Sequence, residues 1–309
     1  MDRSQQYEEV KKRLERRGID CREQEPMDRH STMRVGGPAD LFVTVRTGAE
    51  LAGAVRCCRE LGLPFAVIGR GSNLIVADSG VRGVVIRQAA GASAIRELAP
   101  GRYALPAGVT LAQAANRAAA DACTGLEFAH GIPGTVGGGV FMNAGAYGGE
   151  LRDVLVSVTV LAPDGELVCL PPEDCGFGYR HSRFARSGEL IVEAEVQLAP
   201  GDRGAVLARM EELQAARREK QPLEYPSAGS TFKRPPEGTP PAAALIDRCG
   251  LKGLRVGNAQ VSEKHAGFLI NRGGATAADL IELIRWVKAE VFRQTGVLLE
   301  EEVRFLGEL

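Results

Sequence analysis

The chain has 309 residues, 44% of them hydrophobic and 25% charged, with a formal net charge of -1 at pH 7. That length is one of two domains or one large one, with enough apolar content to bury a core without disulfide or metal staples. The near-zero charge excludes a general polyanion binder, so an anionic ligand has to be met by local basic groups. The seven cysteines form no C-x-x-C, and the four histidines show no H-E-x-x-H spacing. Neither a disulfide framework nor a metal site is expected, and a reducing cytoplasm is the natural compartment. The N-terminal MDRSQQYEEVKKRLERR has no apolar stretch of a secretory signal, and no run approaches the roughly 18 apolar residues of a membrane span.

In chain order, Tyr7, Val10 and Leu14 make one apolar stripe on a charged helix. Residues 41–45 alternate as a strand. Residues 50–61 read as a helix with Leu51, Val55, Cys58 and Leu61 on one face and Gly62 as its stop. Residues 65–68, 73–76 and 84–86 are short strands, the last two separated by an Asp78-Ser79-Gly80 turn. Thr110-x-x-Gln113 is a capping box that opens a helix to about Ala122. Residues 154–161 and 166–170 flank Pro163-Asp164-Gly165, a hairpin signal, and 190–198 is another strand. Many strands with few helices predict an α+β fold. A boundary is expected near Gly201, followed by a charged helix to about Lys220. Residues 222–241 hold six prolines and two glycines and read as loop. Strand 268–270, a helix from Thr276 to Gly296 with Asp279 completing its capping box, and strand 303–306 close the chain.

Two glycine-rich segments carry the chemistry. Val67-Ile68-Gly69-Arg70-Gly71-Ser72-Asn73 follows a short strand, and glycines two apart let successive N–H groups form a nest around phosphate oxygens. It is not a dinucleotide fingerprint: Leu74 stands where the third glycine would be, and a strand follows instead of a helix. A strand–loop–strand phosphate clamp and a plain β-turn both remain open. The second segment places Gly131, Gly134, Gly137, Gly138, Gly139, Gly145, Gly148 and Gly149 within about twenty residues. Each glycine in regular structure costs about 0.5–1 kcal/mol relative to alanine. Such density favours backbone lying against a ligand, with tight packing on a sheet as the alternative.

The ordered set of motifs resembles the UDP-N-acetylenolpyruvoylglucosamine reductase (MurB) family. It comprises Arg34 with Gly36-Gly37-Pro38-Ala39, the Gly69–Leu74 loop, and Gly131-Ile132-Pro133-Gly134-Thr135-Val136-Gly137-Gly138 with Asn143-Ala144-Gly145-Ala146-Tyr147-Gly148. It continues through Tyr179-Arg180-His181-Ser182, 227–235, 261–268 and Glu302-Val303-Arg304, covering about residues 30–306. Each motif alone is weak; the set is specific.

The resemblance implies the FAD-binding fold of vanillyl-alcohol-oxidase-type flavoenzymes, over residues 1–200 with subdomains of about 1–90 and 91–200. A substrate-binding domain over 201–309 follows. It implies non-covalent FAD held by Arg34, Gly69, Arg70, Gly71, Ser72, Asn73 and Leu74, by Gly131, Ile132, Pro133, Gly134, Thr135, Val136, Gly137 and Gly138, and by Asn143, Ala144, Gly145, Ala146 and Tyr147. NADPH reduces the flavin, and hydride then passes to the enolpyruvyl group of the UDP-sugar in cell-wall precursor synthesis. Ser230 resembles the proton donor, and Arg180 and Glu302 the pair that stabilises the enolate-like carboxylate. Tyr179, Lys220, Lys233, Arg234, Gln260 and Lys264 are the expected substrate contacts, with no nucleic-acid or membrane partner. Read without the family, Arg180 is a surface ion-pair partner, Ser230 a turn serine, and Glu302 the end of a solvated Glu300-Glu301-Glu302 run.

The short span between Arg180 and the strand at Leu190 leaves no room for the inserted tyrosine segment of one branch of the family, so the chain resembles the shorter, second type. Arg234 stands where the longer branch has asparagine. Two other readings are a flavin-dependent sugar or lactone oxidase of the same fold, for which His130 could tether flavin, and a non-catalytic nucleotide-sugar binding module.

Overall fold

A computed structural model describes residues 1–308. The chain forms two compact units, each discontinuous in sequence: one of residues 1–23, 41–70 and 83–216, the other of 24–40, 71–82 and the chain from 217 onward. The expected single cut at residue 200 is a different division; the last change of unit falls inside the helix Arg203–Lys220.

The first unit begins with the helix Arg3–Glu15, opened by a capping box in which Asp2 accepts from the Gln5 amide at 2.8 Å. Its stripe packs inward: Val10 and Leu14 are fully buried, in one cluster with Leu51, Val55 and Cys58 of the helix Gly48–Glu60. A four-stranded sheet is ordered Asp20–Pro26, Pro38–Val45, Val81–Gln88, Phe65–Ile68, and its last two strands are parallel. A five-stranded antiparallel sheet is ordered Leu167–Leu170, Leu155–Leu161, Leu190–Gln197, Arg102–Pro106, Arg96–Ala99. The Pro163-Asp164-Gly165 turn closes its first hairpin, with Leu161 opposite Leu167 and Gly165 at φ 95°. Against this sheet lies the helix Leu111–Ala120, whose Thr110–Gln113 capping box forms as expected.

The second unit carries a four-stranded antiparallel sheet, ordered Ser227–Ser230, Phe268–Asn271, Ala259–Val261, Arg255–Val256. The helix Ala277–Thr295 buries Leu280, Leu283, Ile284, Val287 and Val291 in one core with this sheet and the helix Ala242–Arg248. Each such side chain contributes about 1.5–3 kcal/mol by leaving water. The Thr276–Asp279 capping box starts the long helix, and left-handed Gly296 (φ 72°) stops it. Arg304–Leu306 pairs in parallel with Leu74–Val76.

Three local expectations change. Residues 227–230, inside the proline-rich stretch read as loop, are a strand, because Phe268–Asn271 supplies the partner that the local sequence does not announce. Residues 136–142, inside the second glycine segment, are a helix capped by Thr135. Asp20–Pro26 is a strand that shows no alternation, since most of its residues are exposed or half-buried.

Candidate active site

The two glycine segments meet. A Cβ on Gly69 would lie 2.2 Å from Thr135 Oγ1, so the first loop rests directly on the N-cap of the helix Val136–Met142. Most glycines here are required by protein packing. A Cβ would reach Ala107 Cβ at 2.8 Å from Gly137, Leu151 Cδ1 at 2.7 Å from Gly139, and the Phe128 ring at 2.6 Å from Gly149. Gly71 is left-handed, with the His30 carbonyl 2.2 Å from where its Cβ would be. Gly138 differs: it is exposed, and the nearest atom to its Cβ would be Thr135 Oγ1 at 3.6 Å. Packing therefore explains much of the glycine density that the sequence attributes to a ligand. Gly138 is the member of the helix run left facing open space.

The first loop has the chemistry of an anion cradle. Among the described residues, the amides of Arg70, Gly71 and Ser72 donate to no protein acceptor. A strand, Leu74–Val76, follows, as the failed dinucleotide fingerprint predicts. Burial, together with the charges of Arg70 and Arg22, holds half-buried Arg87 below the usual guanidinium pKa. A phosphate would relieve that crowding of cations. At the other loop, His130 Nδ1 is buried with no partner, beside Gly131. Unclaimed amides, crowded arginines and an orphaned ring nitrogen fit a bound diphosphate-bearing cofactor such as FAD. Arg87 was not singled out from the sequence, because an arginine in a strand gives no local sign of its neighbours.

The remaining residues of this segment form a hairpin. Gly145-Ala146 pairs with Gly149-Glu150, and Tyr147 and Gly148 turn between them at φ 53° and 89°. Both central residues being left-handed makes this a type I′ turn, and it displays Tyr147 at its tip, 44% exposed. Asn143, the left-handed cap of the preceding helix, is fully buried. Its Nδ2 donates to Glu150 Oε2 at 2.9 Å and to the Gly178 carbonyl at 3.2 Å. Ile132 and Ala144 pack against the core, while Pro133 is exposed.

A second tight turn carries Arg180. Gly178 and His181 exchange backbone hydrogen bonds at 3.0 and 3.2 Å, with Tyr179 and Arg180 at the tip. Arg180 is left-handed (φ 53°), its guanidinium lies 5.4 Å from the Tyr179 ring centre, and its Nη2 donates to the Gly145 carbonyl at 2.9 Å. Among the described residues, six that are not glycine have positive φ: Gln24, Arg34, Ala122, Asn143, Tyr147 and Arg180. Four of them, Arg34, Asn143, Tyr147 and Arg180, are candidates named from the sequence. Strain gathers at functional positions because it persists only where the surroundings over-determine it.

In the second unit, Glu302 meets Thr231, the residue that follows Ser230. Ser230 is exposed at the end of its strand, after a register shift that includes left-handed Gly229 (φ 77°). A bulge of this kind re-aims the side chain that follows it. The Glu302 amide donates to the Thr231 carbonyl at 2.8 Å, and Asn73 Nδ2 donates to the Glu302 carbonyl at 3.1 Å. Glu300 pairs with Lys233 at 3.3 Å and Glu301 with Lys288 at 2.7 Å, and the backbone of all three runs beside residues 231–233.

The expected substrate contacts fare differently. Gln260 is buried, with Nε2 donating to the Gly253 carbonyl at 3.2 Å. Lys264 Nζ donates to the Arg218 carbonyl at 2.8 Å. Tyr179, Lys220 and Arg234 are exposed, and Lys233 is half-buried in its ion pair. His265 is held below the usual imidazole pKa by burial, and its Nδ1 accepts from the Gly267 amide at 3.2 Å.

Residues 39–170, which hold both glycine segments and the Tyr147 hairpin, match the family model described as "FAD binding domain". Residues 221–306 match that of the UDP-N-acetylenolpyruvoylglucosamine reductase C-terminal domain. The chain is 47% identical to the UDP-N-acetylenolpyruvoylglucosamine reductase of Heliobacterium modesticaldum, over 93% of this chain and 90% of that protein. It is 45% identical to the same-named protein of Streptococcus pneumoniae, over 94% and 95%. Among solved structures, the Thermus caldophilus UDP-N-acetylenolpyruvylglucosamine reductase superposes with a TM-score of 0.78 at 38% identity, covering 93% of this chain and 98% of that one. The protein is thus a flavin-fold oxidoreductase with an α+β second region. It belongs to the UDP-N-acetylenolpyruvoylglucosamine reductase family. Among the described residues, no helix is long and apolar enough to cross a membrane.

Proposed function

We propose that the chain reduces UDP-N-acetylenolpyruvoylglucosamine to UDP-N-acetylmuramate with NADPH, in cytoplasmic peptidoglycan precursor synthesis. The observation that carries the reading is a bulge-presented, exposed Ser230 whose next residue, Thr231, takes the Glu302 amide on its carbonyl at 2.8 Å. The chemistry that bound FAD supplies is hydride transfer, from NADPH and then to the enolpyruvyl double bond. Residues 1–200 would hold that cofactor, and residues 201–309 the UDP-sugar together with Tyr179 and Arg180. The amides of Arg70, Gly71 and Ser72 would receive the cofactor diphosphate, and the Gly131–Gly138 backbone and Tyr147 would hold its remainder.

Ser230 delivers the proton to the carbon adjoining the carboxylate. A serine hydroxyl is a weak acid in water, so the role depends on alignment and on exclusion of water. Arg180 receives the developing carboxylate charge with its planar fork, and Glu302 shares that task. Lys220, Arg234, Lys264 and Tyr179 meet the nucleotide-sugar, with Lys233 and Gln260 shaping their surroundings. Ser230→Ala leaves flavin reduction by NADPH intact and slows reoxidation by the UDP-sugar by at least about 100-fold. Stopped-flow measurement of the two half-reactions tests this; equal loss in both would remove Ser230 from the proton-donor role. A preparation that NADPH reduces but the enolpyruvyl sugar cannot reoxidise would remove the substrate assignment. Flavin retained after acid denaturation would favour a tethered oxidase instead.

A further inference from the structure

Arg180 occupies a backbone conformation that arginine does not choose. It is the third residue of the Gly178–His181 turn, at φ 53°, a position suited to glycine or asparagine. Such strain costs about 1–3 kcal/mol and lasts only where neighbouring structure holds it. Two side chains supply that hold, and the reaction scheme uses neither. Ser182, with 0% exposure, donates its Oγ to the Phe141 carbonyl at 2.6 Å. Asn143, also at 0%, donates Nδ2 to the Gly178 carbonyl at 3.2 Å, and its Oδ1 accepts from the Arg152 amide at 3.1 Å. One grips the turn at its first residue and the other just past its last.

Both grips end on the same short segment, 141–145. The Arg180 guanidinium reaches that segment too, through Nη2 to the Gly145 carbonyl at 2.9 Å. One stretch of backbone therefore sets the conformation of the turn and also the direction of the charged group it carries. The Phe141 carbonyl lies in the last turn of the helix Val136–Met142, and the Ser182 hydroxyl donates to it.

We propose that Ser182 and Asn143 are positioning residues for Arg180, holding its left-handed backbone and hence the guanidinium where the substrate carboxylate is received; this rests on the reading of Arg180 given above. Losing one grip lets the turn relax toward ordinary φ and displaces the guanidinium. A displacement of about 1 Å at a positioned catalytic group lowers rate by as much as about 100-fold.

The test uses the FAD-loaded enzyme and Ser182→Ala. Flavin reduction by NADPH stays within about twofold of the parent, reoxidation by the enolpyruvyl UDP-sugar slows about 10- to 100-fold, and calorimetric affinity for UDP-N-acetylmuramate falls with it. Ser182→Thr, which keeps the hydroxyl, restores the rate. Ser182→Cys, a weaker donor, falls between, and it carries the test should the alanine variant fail to retain FAD. Ser182→Ala added to Arg180→Ala slows reoxidation no further than Arg180→Ala alone. Multiplying effects in the double variant, or equal loss in both half-reactions of Ser182→Ala, overturns the positioning role. An undiminished substrate half-reaction in Arg180→Ala overturns the role of Arg180 itself, and the proposal with it.

Discussion

An alanine at Gly69 would put its Cβ 2.2 Å from Thr135 Oγ1 and 3.2 Å from both Thr135 Cβ and Cγ2. Gly69 is not left-handed, so the substitution carries no backbone strain and its effect is steric alone. The closest approach is more than about 1 Å short of van der Waals contact. Thr135 cannot retreat freely. It is 3% exposed, it caps the helix Val136–Met142 by accepting from the Gly138 amide at 3.4 Å, and the next amide, Val136, is held by the Val109 carbonyl at 2.8 Å. Overpacking at such a site costs about 1–3 kcal/mol. Loss of an N-cap adds about 0.5–2 kcal/mol. Gly69→Ala is therefore expected to destabilise the protein by about 2–4 kcal/mol in urea unfolding and to weaken FAD binding, read by flavin fluorescence. Thr135→Ala removes Oγ1 and Cγ2, so the double variant should be more stable than the sum of the singles by at least about 1 kcal/mol. Wild-type stability with unchanged FAD affinity in Gly69→Ala, or strict additivity in the pair, would refute the steric reasoning.

Gly138→Ala is the converse: with nothing closer than 3.6 Å in the protein, it leaves folding of the apoprotein unharmed while lowering FAD affinity, and equal affinities in a fluorescence titration would count against ligand contact there. Because burial lowers the pKa of His265, its folded value lies below the unfolded value of about 6.5, and the neutral ring stabilises the fold above that pH. Stability is lost as pH falls from about 7 through the folded value, and His265→Asn should flatten the pH dependence of unfolding across that window; an unchanged slope would exclude His265 as the source. Burial pushes the Cys58 thiol up to about 12 and the Cys175 thiol to about 11, while Cys169 is exposed on an edge strand. A disulfide reagent at about pH 8 should thus find one fast thiol in the native enzyme, absent in Cys169→Ser, and a fast phase surviving that substitution would contradict the assignment.

The proposed flavin region was legible as two glycine segments because turn and strand signals are local. Residues 65–68 and the strand after Asn73 were read correctly from a few neighbours each, as were the capping boxes at Thr110 and Thr276. The physical role of the individual glycines was not. Gly137 and Gly139 look alike in sequence to Gly138, yet Ala107 and Leu151 press on the first two and open space faces the third. A run of glycines also concealed the helix Val136–Met142, whose stability comes from its Thr135 cap and from the close packing that small residues allow.

The same division holds at the residues proposed for catalysis. Residue type and order along the chain were enough to single out Arg180, Ser230 and Glu302 through the family they resemble, and to reject a dinucleotide fingerprint at Gly69. What depends on residues far apart in sequence could not be read there: lysine partners for Glu300 and Glu301, Asn73 on the Glu302 carbonyl, Arg87 crowded by Arg70, and the grip of Ser182 and Asn143 on a left-handed Arg180. Local propensity acts over a turn of helix or a pair of strand residues. A hydrogen bond spanning 41 positions from Ser182 to Phe141, or 229 from Asn73 to Glu302, exists only once the chain has closed around its cores.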